Sequence, residues 1–174
     1  MIGLELGDIT TVRADAIVNA ANSALAGGGG VDGAIHRAAG PELTTELRSR
    51  YSGCPTGSAV ITGSGRLAQR GVKWLVHAVG PVWSGGRRHE QERLRSAYLT
   101  ALGLADDAGA TTVALPAISC GVYGYPLDEG SAVALRAVRD GLAEARNLDR
   151  ATFVLYSDDT HLAFATALTD LAGG

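Results

Sequence analysis

The chain predicts an α/β fold, with a largely parallel sheet of six strands covered by helices on both faces. Two observations carry this expectation. Short apolar stretches alternate with longer segments whose apolar residues recur at helical spacing. Two glycine-bearing loops, Asn19 to Gly33 and Ser119 to Pro126, each lie between a predicted strand and a predicted helix. In such sheets ligands gather at the carboxyl ends of the strands, which is where both loops emerge.

Taken in order, Ile2 to Leu6 reads as a short strand. Ala16 to Asn19 is apolar and runs straight into the first loop, as a strand buried on both faces should. Ala34 to Arg50 is helical in tendency and broken at Gly40-Pro41, because proline cannot continue a helix. Ser58 to Thr62 and Lys73 to Val79 read as strands, the second carrying Trp74-Leu75-Val76. From Glu90 to Ala108 the residues Leu94, Ala97, Tyr98, Ala101, Leu102 and Ala105 fall on one helical face. Thr112 to Leu115 is a fifth strand, ending at Pro116. A helix from Asp128 to Glu144 aligns Leu135, Val138 and Leu142. Thr152 to Tyr156 is the sixth strand, and a last helix runs from Asp159 to Leu171. The Trp83 to Arg88 stretch is expected to be a flexible connection rather than a boundary.

A chain of 174 residues fits one domain, spanning 1–174, and 46% hydrophobic residues suffice for a sizeable core. A net charge of −3 argues against duplex DNA or an anionic membrane as the main partner. It leaves room for a nucleotide held by backbone groups. Cys54 and Cys120 are too few for a disulfide framework or a structural zinc site, so a reducing, cytoplasmic setting is expected. Met1 to Glu5 has neither the basic nor the apolar part of a signal peptide, and no run of 18 apolar residues occurs. The four histidines lack metal-ligand spacing, so neither metal nor cofactor is expected.

Glycine runs let a backbone approach a ligand closely and offer several N–H groups at once, and a following helix adds its positive end. Neither loop contains Lys or Arg, so an anion there would be held by amides. Gly28-x-Gly30-x-x-Gly33 matches a dinucleotide fingerprint in letters only. It lies too far beyond the strand, and no carboxylate follows at the required spacing near Gly53-Cys54-Pro55. The absence of Gly-Lys-Ser/Thr excludes a P-loop. Asp32 among phosphate-cradling amides would repel a phosphate, which suggests work on a water; the simpler reading from spacing alone is that it caps the helix beginning near Gly33. Asn22 either donates to a sugar hydroxyl or supports the loop as an Asx-turn residue. His36, four residues after Asp32, shares its helical face. Cys120 with His77 or His36 as base would make a thiol hydrolase, but a small buried thiol is the simpler reading. Tyr123 and Tyr125 stack on a sugar or base, or pack down on their own loop. Tyr156 suits a nucleobase or is merely an aromatic strand end. Asp8 accepts from an adenine amino group or serves a turn.

Gly7-Asp8-Ile9, Asp15 to Asn22, Gly27 to His36, His77 to Trp83 and Ser119 to Pro126 together resemble a macrodomain of the MacroD type, over nearly the whole chain. The resemblance implies a three-layer α/β/α fold with a six-stranded mixed sheet and an ADP-ribose cleft at its crest. It implies a monomer acting on O-acetyl-ADP-ribose and on mono-ADP-ribosylated proteins, removing single ADP-ribose units from acidic side chains. Carried over residue by residue, Asp32, Asn22 and His36 form the catalytic set. Asp8 and Ile9 contact adenine, with Tyr156 packed against it. Gly29, Gly30 and Val31 line one side of the diphosphate and distal ribose, and Asn19 is a further substrate-binding residue. Ser119, Gly121, Val122, Tyr123 and Gly124 line the other, with Tyr125 at the distal-ribose end. One water held between the diphosphate and Asp32 would then attack the ester. The rival readings are a non-catalytic ADP-ribose reader and a phosphatase acting on ADP-ribose 1″-phosphate.

Overall fold

The computed structural model describes all 174 residues. Its strands are β1 (Ile2–Leu6), β2 (Ala16–Ala21), β3 (Ala59–Gly63), β4 (Trp74–Val79), β5 (Thr112–Leu115) and β6 (Arg150–Leu155). Its helices are α1 (Gly30–Ala39), α2 (Pro41–Arg50), α3 (Glu90–Asp107), α4 (Leu127–Glu144) and α5 (Asp158–Gly173). Short 3₁₀ turns at Ile9–Thr11 and Gly65–Arg70 complete the chain. No helix is long and apolar enough to cross a membrane.

The six strands form one sheet in the order β1-β6-β5-β2-β4-β3, with every pairing parallel except β3 against β4. Successive strand residues point to opposite faces, and the core divides accordingly. Ile17, Leu75, Val79, Ala114 and Val154 face α1 and α2. Val18, Val76, Val113, Leu115 and Phe153 face the layer of α3, α4 and α5. In that second layer Phe153 packs against Phe164 (ring centroids 4.8 Å apart) and edge-on against Tyr98 (5.9 Å). The result is a three-layer α/β/α sandwich with a mixed sheet.

Two boundaries beside the first glycine loop differ from the sequence reading, and one connection is tighter than expected. β2 continues through Ala20 and Ala21, which pair with Ala78 and Val79, so the first glycine loop begins at Asn22. The helical break at Gly40-Pro41 stands, with Gly40 at φ 87° and Pro41 opening α2. However, α1 begins at Gly30, ahead of Gly33, with Gly29 as its cap. The Trp83 to Arg88 connection is pinned rather than loose. Glu90, 1% exposed, accepts hydrogen bonds from the backbone N–H groups of Ser84, Gly86 and Arg88. Burial works to raise this carboxyl, and those N–H groups overcome it, holding it down to about 2.

Candidate active site

The carboxyl ends of the central strands open into a cleft of about 400 Å³. Its floor is Ala20 and Ala21 at the end of β2, Gly80 just beyond β4, and Pro116 to Ser119 just beyond β5. Asn22 and the Gly28 to Asp32 segment make one wall, and Gly121, Val122 and Tyr123 the other. No Lys or Arg lines it, and Asp32 is its one charged side chain.

Backbone demands shape the first wall. Gly30 opens α1 at φ 57°, a region L side chains rarely enter. A Cβ on Gly33 would collide with the Gly28 carbonyl oxygen. Glycine is therefore required there for the loop to lie against its helix. The Asn22 side chain bridges this loop, donating to Gly27 O (2.9 Å) and accepting from Ala26 N–H (3.2 Å). Asn22 thus borders the cleft with both ends of its amide engaged by its own loop.

Asp32 lies in the first turn of α1, 7% exposed, where a carboxylate complements the helix dipole. It caps no backbone N–H. Its Oδ1 instead accepts from Asn19 Nδ2 at 2.8 Å and faces His36 Nε2, one turn further on, at 3.3 Å. Oδ2 takes no hydrogen bond from the protein and lies 3.5 Å from the point where a Gly28 side chain would start. Behind Asn19 the polar contacts continue inward. Its Nδ2 is 3.1 Å from His77 Nδ1, and His77 Nε2 is 2.9 Å from Thr62 Oγ1. Asn19, His77 and Thr62 are wholly buried, and strand register sets Asn19 directly beside His77. Burial, helped by the nearby His36, pushes His77 down to about 3, so its ring is neutral.

The second wall is held from below. Ser119 stands at φ 66°, and Tyr125 N–H returns to its carbonyl (3.0 Å). Gly124 N–H closes a turn on Gly121 O (3.0 Å), and Trp83 N–H binds Tyr123 O (2.8 Å). The Ser119 hydroxyl is buried with no partner within the protein. Gly80 has no room for a Cβ, which would meet Ser119 Oγ and Ile118 Cγ2. Tyr125 is 3% exposed and packs against Trp83 (centroids 4.7 Å apart), so it supports the loop from beneath and lines no part of the cleft. Burial pushes the Cys120 thiol up to about 11, which leaves it a poor nucleophile.

Asp8, Ile9 and Tyr156 stand apart from the cleft, at the edge formed by β1 and β6. Asp8 Oδ1 caps the first 3₁₀ turn, accepting from Thr10 N (2.9 Å) and Thr10 Oγ1 (2.7 Å). Ile9 is buried against α1, and Tyr156 is 84% exposed. The structure thus gathers Asn22, Gly29, Gly30, Val31, Asp32, Ser119, Gly121, Val122 and Tyr123 around one cavity. Asn19 and His36 stand directly behind Asp32, while Gly124 turns the second loop. Thr62 escapes the sequence reading as part of this site, and His77 enters it only as a base for Cys120, not as a support for Asp32. Their one signal was a histidine set in the otherwise apolar run Trp74 to Val79.

Known proteins share this architecture. The chain is 48% identical over 173 residues to a macro domain-containing protein of Caldanaerobacter subterraneus subsp. tengcongensis, covering 98% of this chain and 97% of that one. It is 47% identical over 166 residues to the O-acetyl-ADP-ribose deacetylase of Citrobacter rodentium, covering 94% and 92%. A structure of an Oceanobacillus iheyensis macrodomain mutant with ADPR superposes with a TM-score of 0.89 at 36% identity, over 98% of this chain and 93% of that one. The Trypanosoma brucei macrodomain in complex with ADP-ribose gives 0.87 at 37%, over 96% and 68%. The Macro domain family model matches residues 18–134, a span that holds both glycine loops and the buried polar residues behind Asp32. With sheet order, loops and relatives in agreement, the chain belongs to the Macro domain family.

Proposed function

We propose that this macrodomain hydrolyses O-acetyl-ADP-ribose and releases single ADP-ribose units from modified Asp and Glu side chains. The observation that carries this reading is the carboxylate of Asp32, fixed through one oxygen and bare on the other, at the wall of a cleft without cations. Relatives named O-acetyl-ADP-ribose deacetylase and macrodomains solved with ADP-ribose support it. The backbone N–H groups of the two glycine loops hold the diphosphate. Asp8, Ile9 and Tyr156 receive the adenine at the β1–β6 edge.

The distal ribose then sets its ester beside Asp32. A water lodged between the diphosphate and Asp32 Oδ2 gives a proton to that oxygen as its own oxygen bonds to the acyl carbon. Collapse of the tetrahedral adduct breaks the acyl C–O bond, and the ribose oxygen takes the proton back. Products are ADP-ribose and a free carboxylic acid. A general base of this kind is worth about 10²- to 10⁴-fold.

Asp32→Asn keeps the acceptor for Asn19 and removes the base. Mass spectrometry of a mono-ADP-ribosylated glutamate peptide, and of O-acetyl-ADP-ribose, should show turnover falling by about 10²- to 10⁴-fold with ADP-ribose affinity unchanged by calorimetry. Equal loss of turnover and affinity would make Asp32 a scaffold residue. A wild-type protein that binds the peptide and leaves its label in place would be a reader instead.

A further inference from the structure

The buried polar chain behind Asp32 has only one consistent set of proton positions. Thr62 has a single hydroxyl proton, and Gly63 O accepts it at 2.8 Å. The contact between Thr62 Oγ1 and His77 Nε2 is therefore a bond that the histidine donates. The ring is buried and neutral, so it carries one N–H only, and Nδ1 is a bare lone pair. Asn19 Nδ2 donates to that lone pair, and its second hydrogen goes to Asp32 Oδ1. Turned over, the amide would set its carbonyl oxygen against both a lone pair and a carboxylate. Asn19 Oδ1, buried and without a partner, shows that the amide forgoes an acceptor bond to keep both hydrogens on this side.

We propose that His77 and Thr62 are positioning residues, which hold the Asn19 amide in the one orientation that donates to Asp32 and so keep Asp32 Oδ2 aimed into the cleft. This rests on Asp32 being the base. Neither residue lines the cleft. Both act only through Asn19.

Thr62→Val exchanges the hydroxyl for a methyl group of similar size. His77 Nε2–H then has no acceptor, and the ring gains by moving its proton to Nδ1. The Asn19 amide must turn to accept it, and its oxygen then opposes Asp32. Turnover of the glutamate ester should fall about 10- to 100-fold, the scale of one lost hydrogen bond to a charged group. KM and ADP-ribose affinity should hold. Thr62→Ser, which keeps the hydroxyl, should restore turnover. Nitrogen-15 NMR of the histidine rings should show His77 protonated at Nε2 in the wild type and in Thr62→Ser, and at Nδ1 in Thr62→Val. The wild-type spectrum needs no variant to fold and no ester to be cleaved, so it tests the proton positions even where the hydrolase reading fails. Wild-type His77 protonated at Nδ1 would overturn the proposal. So would a Thr62→Val protein with unchanged turnover, or one losing affinity in step with turnover.

Discussion

One hydroxyl group joins the core to the cleft. Tyr98, wholly buried on α3, donates to Pro116 O (2.8 Å) and accepts from Ile118 N–H (2.9 Å), so it pins the floor beyond β5. Tyr98→Phe leaves that N–H with only its contact to Pro116 O (3.1 Å), at a cost of about 0.5–1.5 kcal/mol, the scale of one lost hydrogen bond. Thermal melting should fall by about 2–4 °C per kcal/mol, and ADP-ribose affinity should fall with it. Unchanged affinity would mean that the floor keeps its shape without the pin. Helical spacing alone marks Tyr98 as a core residue. Its hydroxyl partners lie 18 and 20 residues away, beyond any local pattern. The same limit explains the residues behind the base. Asp32, Asn22 and His36 stand out because they sit in or beside a glycine loop. Thr62 and His77 become neighbours of Asn19 and Asp32 only through the pairing of β2, β4 and β3. Tyr125 was open to either face of its loop. Packing on Trp83 decides it, since burying two aromatic faces together outweighs leaving one in water.

At the scale of elements, the first glycine loop and α1 behave as one unit, because the Gly28 carbonyl rests where a Gly33 side chain would be. Gly33→Ala forces that carbonyl away and should cost about 1–3 kcal/mol through overpacking. The larger effect should be on ligand: calorimetry should show ADP-ribose binding weakened even in the fraction that remains folded. Full-strength binding would show that the loop can move without loss. Alternating apolar strands and amphipathic helices were legible in the sequence, as was the break at Gly40-Pro41. The ends of β2 and α1 were not. Alanine at positions 20 and 21 is neutral between strand and loop until Ala78 and Val79 arrive beside it. Gly30 begins a helix only because the preceding glycines turn the chain into it. The Trp83 to Arg88 connection looked loose from its glycines and arginines, and the buried carboxylate of Glu90 organises it from the next element.

At the scale of the molecule, the sandwich and its mixed sheet were foreseeable from the resemblance, but not that β3 is the reversed strand, since an apolar run reads the same either way. Parallel strands β2, β4 and β5 all deliver their carboxyl ends to the same rim, and the cleft exists because of that shared polarity. That rim carries no positive side chain. Most proteins that seize phosphates do so with arginine or lysine, and dissolved ions weaken that attraction. Amide dipoles pressed close against a ligand are shielded far less, and Asp32 repels phosphate, a repulsion that added ions soften. ADP-ribose should therefore be held as firmly in concentrated sodium chloride as in dilute buffer. A titration of affinity against ionic strength that slopes steeply downward would reveal a hidden cation doing the holding.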